Sequence, residues 1–451
     1  MNDFDRNYLN KKRNERRKKI IRNRIILALA LVFIVVAGVF AVKGIFHKDK
    51  KVAKTETKPV DKKTTTVETK PGDKVTNSGS DSQVSKPVEE KKPEAPKGPD
   101  EFEDIRIKAA GDILVHTPIK KHAYNSGKDG KSDFTKNFEE MKDFMKDADY
   151  TVANFEGTIN PDRPLSDYPM FNVSKDILPT LKDIGIDGLT TANNHCLDTR
   201  FEGLESTIDN IDGQDIDYYG TQKTPDNRIK IVDVKNAKLA ILAYTDNLNG
   251  MDPVLDTTEK KASVNMLEPE TIKADIAKVR EMGADIVIMY PHWGAEYTEK
   301  ALPQYVDLAR KMIDWGADVV CGNHPHVVQP TEWYTNPEGK KGWIIYSMGN
   351  FLSNQRVETM NGDIRTEQSV VVDMYFTKNI TQNTTELKDV KIHPIWVRAY
   401  RDQFGGILNQ TVLAEEYMKG GPKANKLNAE QLERANKAYK MTMKAVEAEV
   451  Q

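Results

Sequence analysis

The apolar positions fall into three regimes along the chain. Ile25 to Val42 is an unbroken apolar run of 18 residues, IILALALVFIVVAGVFAV. As a helix it would span about 27 Å, close to the roughly 30 Å hydrocarbon core of a bilayer. It predicts one transmembrane anchor over residues 25–46. From Lys48 to Glu101 the pattern is lost, and the segment contains no Phe, Trp or Tyr. Rich in Lys, Thr, Glu, Ser and Pro, it cannot bury enough apolar surface to offset its ordering entropy. Residues 47–101 are therefore expected to form a disordered linker that gives a folded domain reach. From Phe102 onward short apolar runs alternate with stretches of helical period. Strands are predicted at Ile105–Ala110, Tyr150–Ala153, Leu189–Ala192, Leu239–Tyr244, Ile286–Tyr290 and Val319–Cys321. Helices are predicted near Lys175–Ile184, Glu202–Ile211, Pro269–Met282 and Pro303–Trp315. This alternation indicates an α/β domain, with a more purely β portion at Gly342–Tyr346, Ser369–Phe376 and Val390–Val397. The domain is expected over 102–400, followed by a helical extension over 401–451.

Charge sets the orientation of the anchor. Residues 1–24 carry Arg6, Lys11, Lys12, Arg13, Arg16, Arg17, Lys18, Lys19, Arg22 and Arg24 against Asp3, Asp5 and Glu15. Such a basic flank stays cytoplasmic, so the rest of the chain is expected outside a cell membrane crossed once. A cleaved signal peptide is the competing reading, but its apolar region is usually shorter and no small-x-small site follows Val42. Over the whole chain Lys+Arg 66 nearly balance Asp+Glu 68, giving a net charge of −2. That balance argues against a nucleic-acid-coating protein. Two cysteines, Cys196 and Cys321, exclude a disulfide framework. They could pair only if their Cα atoms lie within about 7 Å.

The candidate chemistry is positional. Asp112, His116, Glu156, Asn194, His195, His292, His324 and His326 all follow directly after predicted strands. In an open α/β sheet ligands bind at the carboxyl ends of the strands, so these residues should meet in one crevice. Mixed imidazole and carboxylate ligands suit Mn, Fe or Zn, as one ion or two bridged by a carboxylate. A pair of such ions suits hydrolysis of a phosphoester. His195 would act as general acid, oriented by Asp198. Trp293 and Glu296 are placed on the substrate side, and Asn350 at the floor of the site through backbone bonds.

The segments AGD (110–112), NFEG (154–157), ANNHCLD (192–198), HWGAEY (292–297), GNHPHVVQ (322–329) and YSMGNF (346–351) resemble the capsule-synthesis CapA family, which includes membrane-anchored poly-γ-glutamate biosynthesis proteins. That family is similar to calcineurin-like metallophosphatases. The resemblance implies a four-layer αββα sandwich of two packed β-sheets. It also implies that Asp112 is the first metal-binding aspartate, Glu156 the bridging carboxylate and Asn194 the metal-binding asparagine. His195 would be the histidine that protonates the leaving group, His292 the isolated ligand, and His324 and His326 the closing pair. The sequence departs from the phosphatase pattern twice. Leu114 stands where a histidine is expected, leaving His116 as the nearest, and Glu156 replaces an aspartate. Two functions follow. One is a surface-anchored metal-dependent hydrolase acting on a phosphoester or a γ-glutamyl bond. The other is a non-catalytic subunit that guides an anionic polymer beside a membrane synthase complex.

Overall fold

The computed structural model describes residues 99–450; the basic tail, the apolar run and nearly all of the linker lie outside the described residues. No helix among the described residues is long and apolar enough to cross a membrane.

Among the described residues, fourteen strands form two sheets. The first contains β1 (Phe102–Ile113), β2 (Tyr150–Phe155), β3 (Gly188–Thr190), β4 (Asp217–Tyr219), β11 (Asn350–Leu352), β12 (Gln368–Asn379), β13 (Thr384–Tyr400) and β14 (Leu408–Leu413). Its order is β14-β13-β12-β1-β2-β3-β4, with β11 paired to the end of β1. The second contains β5 (Ile231–Val234), β6 (Ala237–Thr245), β7 (Ile286–His292), β8 (Val319–Cys321), β9 (Thr331–Thr335) and β10 (Lys341–Ile345), in the order β5-β6-β7-β8-β10-β9. The strands β1 to β4 run parallel to one another, as do β6, β7, β8 and β10, so their carboxyl ends gather on one side of each sheet.

Side-chain alternation along these strands builds the layers. Ile105, Ile107 and Ala109 of β1 pack with Leu239, Ile241 and Ala243 of β6 and with Ile286, Ile288 and Tyr290 of β7. This is the core between the sheets. Ala110 and Ile113 face the other way, onto Ile119 and Ala123 of the helix Thr117–Ser126 and Ile177 and Leu181 of the helix Ile177–Asp183. On the far side, Ala240, Leu242, Val287 and Met289 lie under Ile272, Ile276 and Val279 of the helix Pro269–Glu281 and Ala309 and Met312 of the helix Pro303–Asp314. The layers therefore run helices, sheet, sheet, helices. Strands buried on both faces read as continuous apolar runs, which is why they were legible in the sequence.

The sheet continues past residue 400, into the segment read as a helical extension. β14 pairs with β13 from Ile395↔Leu413 to Tyr400↔Leu408. The helix Ala429–Val446, opened by a capping box between Asn428 and Gln431, then lays Ala435 and Ala438 against Trp396, Val412 and Tyr417. Cys196 and Cys321 are both buried, unpaired thiols.

One glycine sets the approach of β1 to β11. A Cβ on Gly111 would lie 1.9 Å from the carbonyl oxygen of Gly349, while the next residue, Asp112, donates its N–H to that same carbonyl at 3.0 Å. The crossing brings Asp112 into register with both Asn350 and Asn154. Gly111→Ala should lower unfolding free energy by about 3 kcal/mol, the upper range for overpacking against unyielding backbone. Chemical denaturation of both chains measures this, and a loss below about 1 kcal/mol would mean the two strands can part cheaply.

Candidate cation-binding site

The carboxyl ends of β1, β2, β3, β7 and β8 converge where the two sheets meet. Tyr290 of β7 ties them there by donating its hydroxyl to the carbonyl oxygen of Ala110 in β1. The structure brings Asp112, Glu156, Asn194, His195, His292, His324 and His326 into one buried cluster.

Glu156 is its centre. Oε1 lies 3.8 Å from Nε2 of His292, 3.8 Å from Nε2 of His326 and 3.9 Å from Nε2 of His195. These separations are too long for hydrogen bonds. Both carboxylate oxygens are buried, and neither has a hydrogen-bond partner. A buried carboxylate in this condition costs several kcal/mol unless a charge compensates it. Two ligand sets share it, Glu156 with His292 and His324, and Glu156 with Asp112 and His326, and either could hold a metal ion. Asn194 joins the first set, its Oδ1 lying 2.9 Å from Nε2 of His292, which is itself 3.1 Å from Nδ1 of His324. Hard oxygen donors and imidazole nitrogens around an orphaned carboxylate fit a divalent cation.

The closing loop is strained to aim its imidazoles. His324 and His326 have φ of +95° and +58°, left-handed values that cost a non-glycine residue about 1–2 kcal/mol. They are held by His324 N–H donating to Oδ2 of Asp112 at 3.3 Å and by Tyr297 N–H donating to the carbonyl of Pro325 at 2.8 Å. Nδ1 of His326 lies 3.0 Å from Oδ1 of Asn350 and 3.3 Å from Oδ2 of Asp112.

Electrostatics divide the imidazoles. Burial, reinforced by neighbouring histidines, drives His292 and His324 below the ordinary histidine value, which leaves them as the neutral ligands a cation requires. Burial also opposes the charged form of His326, but Glu156 and Asp112 outweigh it and raise the group to about 9. Burial lifts Glu156 to about 8. The metal-free cluster thus retains protons at neutral pH that a cation must displace. Apparent Mn affinity should therefore rise about tenfold per pH unit per displaced proton below pH 8 and level off above about 9. Calorimetry in buffers of different ionisation enthalpy would count the protons, and a pH-independent affinity would show that none is held.

His195 is set apart. Its Nδ1–H donates to Oδ2 of Asp198 at 2.8 Å, and that oxygen also accepts the backbone N–H of Phe171. The Phe171 ring stands edge-on to the imidazole at 4.9 Å. Burial disfavours the imidazolium, yet Asp198 and Glu156 prevail and raise its pKa. Nε2, the free end, faces Glu156 and lies 3.4 Å from Nδ2 of Asn249.

The structure adds to or changes the expected surroundings of three residues. His116 belongs to neither ligand set; it precedes the helix Thr117–Ser126, its Nδ1 sits 3.1 Å from the carbonyl of Leu114 and 3.2 Å from the N–H of Asn354, and it lines the adjoining cleft. Trp293 is core. Its indole N–H donates to the carbonyl of Tyr346 at 3.0 Å and its ring lies against Tyr305, since it falls on the face of the strand end opposite to His292. Asn350 acts through its side chain as well as through the backbone pairing of β11 with Asp112, Nδ2 donating to the carbonyl of Thr366 at 3.0 Å while Oδ1 holds His326. Glu296 is exposed and lines the adjoining cleft. Sequence reasoning missed Asn154, whose Nδ2 donates to Asp112 at 2.8 Å and whose Oδ1 accepts from Thr190 at 3.0 Å. It also missed Asn193, which anchors the His195 N–H at 3.1 Å. Both stood inside quoted motifs, whereas nothing local marked the backbone of Phe171.

Fold and site define an α/β sandwich with a candidate cation-binding cleft at its strand ends. The chain belongs to the family described as bacterial capsule synthesis protein PGA_cap, whose profile matches residues 106–355. It is 29% identical over 295 residues to the capsule biosynthesis protein CapA of Bacillus anthracis, covering 62% of this chain and 66% of that protein, just under two thirds of its length. It is 28% identical over 291 residues to the PGA biosynthesis protein CapA of Bacillus subtilis, covering 63% of this chain and 70% of that one. Among solved structures it resembles the calcineurin-like phosphoesterase YfkN from Bacillus subtilis at 16% identity and a TM-score of 0.40, over 76% of this chain and 98% of that chain.

Proposed function

We propose that this protein is a membrane-anchored, extracytoplasmic member of a capsule or poly-γ-glutamate assembly system, and that its cleft hydrolyses a phosphoester with the help of two divalent cations. The observation that carries the reading is the orphaned Glu156 carboxylate among three imidazoles at 3.8–3.9 Å. Glu156, Asp112 and His326 would hold one cation, and Glu156, Asn194, His292 and His324 the other. Such a pair supplies charge stabilisation at the phosphoryl group and acidifies water. The chain's own residues do the rest. Asp198 orients the His195 ring and, with Glu156, raises its pKa, which favours the imidazolium, and His195 gives its Nε2 proton to the departing oxygen. Asn154 and Asn350 hold Asp112 and His326 in place. The apolar run at residues 25–42 supports anchoring, and the aromatic-free linker supports reach beyond the membrane surface.

A second reading is favoured by the names of the relatives, which speak of biosynthesis rather than hydrolysis. In it the cleft guides an anionic polymer beside a membrane synthase. Purified full-length chain should be analysed for Mn, Fe and Zn, then assayed on a chromogenic phosphodiester and on polyglutamate. The hydrolase reading expects bound metal and phosphodiester turnover. Bound metal with no turnover on either substrate would sink it in favour of the second.

A further inference from the structure

We infer that the cleft beside the cation cluster takes a phosphoester whose organic part is small, uncharged and hydroxyl-bearing, such as a sugar or polyol phosphate, and not a run of carboxylates. This rests on the proposed reading that the cluster engages a phosphoryl group. The cleft opens at His195 and His326 and holds about 270 Å³. That is at the small end of ligand pockets, which run to about 1,000 Å³. Tyr168, Phe171 and Tyr297 give it ring faces, and His116, Asn354 and Gln355 give it hydrogen-bonding edges. Tyr168 is 76% exposed, a large ring held out at the mouth.

The charge pattern disfavours carboxylates on the organic part. Among the described residues no Lys or Arg lines the cleft. The cations nearby are engaged elsewhere. Arg356 pairs with Glu358, Arg365 pairs with Asp363 and Glu299, and Lys120 donates to the carbonyl of Ser166. Glu296 adds a negative charge to the wall, and the positive groups there, His195 and His326, belong to the cluster end that the phosphoryl group would occupy, so a carboxylate on the organic part meets like charge. Rings, amides and hydroxyls remain, a set that stacks on and hydrogen-bonds to neutral polar groups.

The wall is tied to the cluster. From Nδ1 of His326 the chain of contacts passes to Oδ1 of Asn350 at 3.0 Å, from Asn350 Nδ2 to Gln355 Oε1 at 3.1 Å, and from Gln355 Nε2 to the Tyr297 hydroxyl at 3.2 Å. Tyr297 itself is held at φ +65°, its carbonyl accepting from Arg365 at 3.2 Å. A ring fixed at a left-handed position and linked to a cation ligand is preorganised to seat the organic group while the phosphoryl end meets the cluster.

The test compares a neutral sugar phosphate with the open-chain acid derived from it, and the Glu296 variant separates the effect of the carboxylate from that of ring opening. Full-length chain loaded with Mn would be titrated calorimetrically with glucose 6-phosphate, 6-phosphogluconate and inorganic phosphate. Glucose 6-phosphate should bind about tenfold more tightly than 6-phosphogluconate, and Glu296→Gln should narrow that gap to about threefold or less, because the exposed carboxylate is the repelling group. Tyr168→Ala should weaken the sugar phosphate and leave inorganic phosphate unchanged. If inorganic phosphate binds while the two sugar ligands bind equally, or the carboxylate ligand binds better, the inference about the organic group falls and the phosphoryl reading stands. If inorganic phosphate does not bind the Mn-loaded chain, the phosphoryl reading falls and takes this inference with it.

Discussion

A Glu156→Gln chain should bind Mn more than about a hundredfold more weakly than the parent, beyond the 10–100-fold cost of losing a mere supporting partner of a ligand, while its metal-free form unfolds at an equal or higher temperature. The two halves of this result have one cause. Glu156 is buried with both oxygens unpartnered, so its charge is an expense to the metal-free fold and an asset only when a cation is present. The amide keeps the shape and removes the charge. The pH dependence has a definite sign. Burial raises Glu156 from its ordinary value to about 8, so the metal-free parent is favoured while the group is protonated and loses stability as pH climbs towards 8. The Gln variant should lack that part of the decline. Thermal melts from pH 5 to 8.5, with and without Mn, measure both halves. A variant that is destabilised when metal-free and still shows the parental Mn-induced shift would remove Glu156 from the centre of the site.

Replacing His195 should separate two kinds of ester. His195→Gln should lower kcat on an alkyl phosphodiester by about 10²–10³, the usual worth of a positioned general acid. It should leave a p-nitrophenyl ester within about tenfold of the parent, because nitrophenolate departs without a proton. Metal content should be unchanged, since His195 belongs to neither ligand set. Asp198 is a positioning residue in this scheme. Its hydrogen bond helps hold the imidazole pKa above the ordinary value, so the alkaline limb of the rate profile should move to lower pH in Asp198→Asn. Equal losses on both esters, or loss of metal along with activity, would overturn the assignment.

The PGA_cap relationship and the layered fold both grow from short segments that are visible in the sequence. Runs such as Ile286–Tyr290 and Val319–Cys321 announced strands because both faces of each are covered. The polar residues just beyond them announced a crevice because parallel strands deliver their carboxyl ends to one side. Other features carried no local signal. β14 and the short strand β11 are stabilised by partners distant in sequence, and neither has a period long enough to read. His116 and Trp293 had the composition of site residues, but a helix start left His116 on the wall of the adjoining cleft and one step of side-chain alternation sent Trp293 into the core.

By itself, the sequence determined which side chains stand at strand ends, because hydrophobic periodicity and the residue following each run are local properties. Only the tertiary structure decided which of those ends meet, which imidazoles face Glu156, and which neighbours leave that carboxylate unpartnered. Those outcomes depend on how two sheets pack and in what strand order, and packing is a sum of long-range contacts that no single segment encodes.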